Sequence, residues 1–181
     1  MAANDYRARL LASLDRRGLL APADAAGAAP MTIYGQPAWR PIPPGHEPQP
    51  LMEGTRRQRD LVVSAHATPP TAPDQCAAWV ELVFARLGIG RVTGDASGLY
   101  HSWCHEADTR GLLVGMIVAT PSHPYGCGGR SWGHVGLYAG DGSVMHCNDG
   151  KVLTAPLELW ISAYGVMAEP RWGWLGGIAL D

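Results

Sequence analysis

No apolar run in this sequence approaches the roughly 20 residues of a bilayer-spanning helix, so a membrane span is not expected. Basic residues are few and scattered: 14 Lys and Arg stand against 16 Asp and Glu, which leaves no positive field to gather phosphates. A nucleic-acid partner is therefore not expected. The first 20 residues lack the uninterrupted apolar stretch of a secretory signal, because Asp5, Arg7, Arg9, Asp15, Arg16 and Arg17 break it. Export by the standard route is not expected from such a start, and an extracellular target implies lysis, a specialised secretion route or a trimmed precursor. The four cysteines form no C-x-x-C pair, and a chain of this size does not need disulfide staples. No internal repeat is found.

What is present reads as one domain with an extension. The 181 residues are 46% apolar, enough for a buried core. Residues 4–18 have the pattern of a short amphipathic helix, with Asn4 as cap and Gly18 as stop. Residues 20–50 are rich in Ala, Pro and Gly, which favours a linker or a strap lying on the domain, although Ile33, Tyr34 and Trp39 suit an edge strand at 31–39. The expected division is an N-terminal helix and Pro-rich strap over residues 1–56 and a folded domain over 57–181.

Within that domain the spacing predicts a buried helix over 75–87, with Trp79, Val80, Val83, Phe84 and Leu87 as its apolar stripe and Gly88 as its stop. A shorter helix is expected over 96–107. Short β-prone stretches at 112–120, 134–139, 144–147 and 151–154, bounded by Gly, Pro, Asn or Asp, predict an antiparallel meander. The fold class is therefore α+β, with the first helix packed on a small antiparallel sheet.

Cys76 falls in the first turn of the predicted central helix. Unpaired N–H groups and the helix dipole there favour a thiolate and offer donors to a developing oxyanion. Equally, Cys76 fits the buried stripe as a small apolar residue. The run Gly133-His134-Val135-Gly136-Leu137-Tyr138-Ala139, then Gly140-Asp141-Gly142, then Ser143-Val144-Met145-His146 predicts a hairpin with a histidine on each strand. With a three-residue loop, Gly136 pairs with His146 and His134 with Asn148, so the two histidines share a face as diagonal neighbours, roughly 7 Å apart at Cβ. A two-residue loop would put them on opposite faces. Asn148 is the alternative orienting group.

The run Asp74-Gln75-Cys76-Ala77-Ala78-Trp79-Val80 resembles the nucleophile helix of the NlpC-type and CHAP-type cell-wall cysteine peptidases, which are papain-like, and Gln75 between Asp74 and Cys76 leans toward the CHAP type. The His134 hairpin with Asp141, Gly142 and His146 resembles the catalytic hairpin of the NlpC type. Together the likeness spans about the last 120 residues. It implies a papain-like fold and a bacterial thiol hydrolase, a peptidase or amidase cutting peptide or amide bonds in peptidoglycan. In that reading Cys76 is the nucleophile, His134 the general base and acid, and His146 the residue orienting His134, with no cofactor or metal.

Other constellations compete. His101, Cys104 and His105 form H-x-x-C-H, where two histidines at i and i+4 of one helix could bind zinc with Cys127, His123 or Cys147 completing the set. Packed histidines beside a buried Cys104 explain the same residues. The Gly- and Pro-rich loop 121–132 carries Arg130, able to read a substrate carboxylate, and Trp132, able to stack on a sugar or peptide. A solvated turn with Trp132 in the core is the plain alternative. Two further readings of the domain stay open: a non-catalytic or zinc-stabilised binding module of the same fold, and an effector amidase acting on another substrate.

Overall fold

A computed structural model describes residues 42–126 and 128–181 of the chain. The helix expected at 4–18, the edge strand at 31–39 and Cys127 lie outside the described residues. The first long element is helix α1, Arg56–Ala67. Its start is written in Thr55-Arg56-Arg57-Gln58: Thr55 caps the Gln58 N–H, and the Gln58 side chain returns to the Thr55 N–H, a reciprocal capping box. Leu61 and Ala65 are wholly buried on its inner face.

Helix α2, Cys76–Arg86, matches the expected central helix, and Trp79, Val80, Val83 and Phe84 are almost completely buried. Helix α3, Ala96–Trp103, starts at an Asp95 cap and ends four residues sooner than its sequence suggests. The physical reason lies in the next residues: the N–H groups of His105 and Glu106 both turn to the Trp172 carbonyl, and Glu106 pairs with Trp172 as an isolated bridge. Tertiary pairing takes the backbone out of the helix.

The sheet consists of β1 (Ile117–Thr120), β2 (His134–Gly140), β3 (Ser143–Asn148), β4 (Lys151–Pro156) and β5 (Arg171–Gly173), in the order β4-β3-β2-β1-β5. Every pairing is antiparallel. Strand β1 is shorter than the expected 112–120 because the chain turns at Gly115, whose φ of 90° no strand adopts. A four-residue helix α4, Gly129–Trp132, leads into β2, and helix α5, Leu157–Tyr164, follows β4. The molecule is thus α+β: α2 packs on β2 and β3, and α5 on β3 and β4.

Residues preceding α1 are tied into this unit. Gln49 donates its N–H to the Leu112 carbonyl and accepts at its own carbonyl from Tyr138 Oη, while its side chain meets the Val114 N–H and Gln58. Leu51 N–H donates to Asp141 Oδ1 at the far end of the β2–β3 hairpin, and Thr109 Oγ1 donates to the His46 carbonyl. Among the described residues no helix is long and apolar enough to cross a membrane.

Candidate active site

The hairpin that carries the two histidines turns differently from expectation and reaches the same register. Its turn is the two-residue Asp141-Gly142, both left-handed at φ 50° and 64°, the pairing of a tight type I′ hairpin. Alone this would put His134 and His146 on opposite faces. The β-bulge between Tyr138 and Gly140 adds one residue to β2, so Tyr138 faces Val144 and Leu137 faces Met145. Continued along the strands, that register sets Gly136 opposite His146 and His134 opposite Asn148. The bulge therefore restores the common face.

His134 and His146 are buried, and His134 Nε2 lies 2.8 Å from His146 Nδ1. Gly136 leaves the room for this: a Cβ there would stand 2.6 Å from Val144 Cγ1, 2.8 Å from the Met145 carbonyl and 3.1 Å from His146 Cβ. Asn148, the alternative orienter, is half-buried at the end of β3 opposite Lys151, and no hydrogen bond links it to His134 among the described residues.

Cys76 is the first residue of α2. It and both histidines line one cleft of about 780 Å³, together with Trp132, Trp160 and Tyr164. Burial pushes the Cys76 thiol up to about 11, outweighing the N–H groups of Val135, Ala77 and Cys76 itself, which favour the thiolate. The lowered thiol expected from the helix N-terminus is thus reversed: desolvation at this depth exceeds what oriented N–H groups return. Burial also holds His134 well below its ordinary range, helped by His146 and His123, and pushes His146 down to about 3. Burial thus favours the uncharged form of the thiol and of both imidazoles.

This neutral set restricts the proton arrangement. With His134 Nε2 engaged by His146, Nδ1 is the ring nitrogen left to take a thiol proton. In the tautomer that leaves Nδ1 able to accept, His134 Nε2–H donates to His146 Nδ1. His146 then carries its proton on Nε2, an atom that is buried without a hydrogen-bond partner among the described residues.

Sequence reasoning missed three groups here. His123, considered only as a zinc ligand, accepts the Tyr125 N–H at Nδ1 and donates from Nε2 to the Gly133 carbonyl, which anchors the residue before His134. Gly133 has φ 68°, and a Cβ there would fall 2.1 Å from the Thr120 carbonyl. Tyr164 and Trp160 face His134 from α5: the Tyr164 ring stacks on it at 4.2 Å between centroids and 22° between planes. Their signal was available, since Pro156 and Glu158 mark a helix start and Leu157, Trp160 and Tyr164 recur at helical spacing.

Of the other predicted contacts, Trp132 is at the mouth of the cleft and 54% exposed. Arg130 is exposed on α4 and is not among the residues lining the cleft. The charged residues that do line it are Asp74, Asp95 and Asp149. The H-x-x-C-H residues do not assemble. His101 is in the last turn of α3, Cys104 caps that helix and is buried, and His105 belongs to the extended chain beyond it. No group of three or more His, Cys, Asp and Glu comes together for a metal among the described residues.

Comparison with known proteins adds no assignment: no protein-family model matches the sequence, and no curated protein does.

Proposed function

We propose that this protein is a cysteine hydrolase of papain-like fold, a peptidase or amidase that cuts peptide or amide bonds of peptidoglycan with Cys76 as nucleophile, His134 as general base and acid, and His146 as orienter. The observation that carries the reading is the 2.8 Å bond between His134 and His146 in the cleft that Cys76 lines. It leaves a single imidazole nitrogen for proton transfer. The order of elements, with the thiol helix ahead of the strands it packs against, agrees with the resemblance on which the peptidoglycan substrate rests.

In the reaction the Cys76 proton passes to His134 Nδ1 as sulfur attacks the substrate carbonyl, and His134 then protonates the leaving amine. Water, deprotonated by the same nitrogen, hydrolyses the thioester. The N–H groups of Val135, Ala77 and Cys76, which favour the thiolate, suit the oxyanion. The test is release of new amino groups from purified peptidoglycan and from its isolated stem peptides by the wild type, compared with Cys76→Ala.

One observation favours a second reading. The buried, uncharged Cys76 thiol suits a non-catalytic binding module that keeps the fold. Iodoacetamide separates the two, since an activated Cys76 reacts faster at neutral pH than the buried Cys104 and Cys147, and a structural one does not. An effector amidase would pass the thiol test and leave peptidoglycan uncut.

A further inference from the structure

A histidine that accepts a proton from a thiol becomes a cation, and here its third group is neutral. Among the described residues the titratable groups in ring contact with His134 are His146 from β3, His123 from the loop before α4 and Tyr164 from α5, while Cys76 from α2 lines the same cleft, as do Cys147, Asp74, Asp95 and Asp149. Neither His146 nor His123 brings a negative charge to it, and both hold the His134 imidazole down. No carboxylate is hydrogen-bonded to either ring of the His134–His146 pair among the described residues. Something else must hold the imidazolium if the neutral pair is to react.

Two aromatic faces lie against this ring. Tyr164 lies nearly parallel to His134 at 4.2 Å and 22°, and Trp160 lies beside Tyr164, stacked at 5.9 Å and 26° from His134. Being four apart on α5, the two rings share one helix face and touch each other at 5.0 Å. Both are buried, so the contact is largely desolvated. A cation over the face of a tyrosine or tryptophan is attracted by the ring quadrupole, and more strongly where the pair is desolvated. His146 and His123, by contrast, meet His134 at 87° and 84°, edge against face.

We propose that Tyr164, with Trp160 beside it, is a positioning residue for proton transfer in this site: its ring fixes the plane of His134 and stabilises the imidazolium formed when Cys76 is deprotonated. The inference rests on the cysteine-hydrolase reading above. In the step concerned the S–H bond of Cys76 breaks, the electron pair stays on sulfur, and the proton forms an N–H bond at His134 Nδ1. The positive charge then sits between the Tyr164 face and the Nδ1 lone pair of His146.

The experiment measures iodoacetamide alkylation of Cys76 by mass spectrometry in the full chain, at pH 7 and at about pH 10. At neutral pH the thiolate depends on proton transfer to His134, whereas at alkaline pH it forms increasingly by loss of the proton to solvent. Tyr164→Leu is expected to slow alkylation about tenfold at pH 7 and to leave the alkaline rate nearly unchanged. Tyr164→Phe, which keeps a π face, should retain most of the neutral rate. A trifluorinated phenylalanine placed at position 164 keeps the ring's shape, weakens its quadrupole and should behave like Leu; it also decides the matter if the Leu variant does not fold. Equal losses at both pH values, a Tyr164→Phe variant as slow as Tyr164→Leu, or a fluorinated variant as fast as Phe would each overturn the inference. A wild type whose Cys76 reacts no faster at pH 7 than Cys104 and Cys147 removes the hydrolase reading and this inference together. A reactive wild type with unchanged variants removes this inference alone.

Discussion

Two stretches of this chain carry histidines and a cysteine at suggestive spacing, and only one of them becomes a site. In the β2–β3 hairpin His134 and His146 end 2.8 Å apart, while in the stretch after Asp95 the helix stops at Trp103 and His105 leaves the face on which His101 stands. The hairpin pair is held by strand pairing on both sides, since β2 lies between β1 and β3. The helical pair depended on two more residues staying in the helix, and a competing bond to the Trp172 carbonyl took them away. Spacing along a helix is a promise only where the helix continues.

The largest effects should come from breaking the working region at its chemistry. Cys76→Ala and His134→Ala are each expected to lower turnover by about 10³-fold or more while circular dichroism stays that of the wild type. Retained activity in either variant would remove the mechanism. His146→Ala should cost less, about 10- to 100-fold, because an orienter sets tautomer and geometry without moving the substrate proton. Asn148→Ala should be mild, and a reversed ranking would make Asn148 the true partner. Gly136→Ala is the sharper variant, since it changes no polar group. Its Cβ meets the Met145 carbonyl and His146, so it should cost about 1–3 kcal/mol in a denaturant melt and lower activity by displacing His146.

Acid should act on the hairpin pair. Burial keeps His134 and His146 neutral in the folded protein, His146 down to about 3, whereas in the unfolded chain both titrate near 6.5. Below that pH the unfolded chain binds more protons than the folded one. The stability these groups contribute is therefore complete above about pH 6.5 and drains away as pH falls toward 3. A series of thermal melts should show this decline, and His146→Leu should flatten it. The smallest effects belong to the stretch that did not assemble: His101→Ala and His105→Ala should change turnover by less than about twofold. A loss comparable to that of His146→Ala would restore that stretch as part of a site.

The α+β class, the central helix, the meander and the register of the histidine pair were legible because each rests on local periodicity. The register was reached through a wrong loop: three residues were expected, and a two-residue turn plus a bulge at Ala139 gives the same offset. A bulge adds one residue to a strand without any composition that marks it, so alternation alone cannot separate the two solutions. Helix α1 had a readable capping box in Thr55 and Gln58 that went unused. Strand β5 is three residues long and exists through its partner β1, so nothing in Arg171-Trp172-Gly173 announces it. The direction of the Cys76 shift was misjudged for a related reason: a helix terminus is a sequence feature, but depth below the surface is a property of the whole fold.

The hydrogen bond between the histidines spans only 12 residues of chain, inside one hairpin, whereas Cys76 precedes it by almost a third of the protein. Hairpins close within microseconds, and contacts distant in sequence wait for the loop between them to be gathered in. During folding the His134–His146 pair can thus form first, and Cys76, the proposed nucleophile, meets it only when α2 docks on β2. A chain still attached to the ribosome, or one trapped half-folded, would carry the imidazole pair with Cys76 still apart from it.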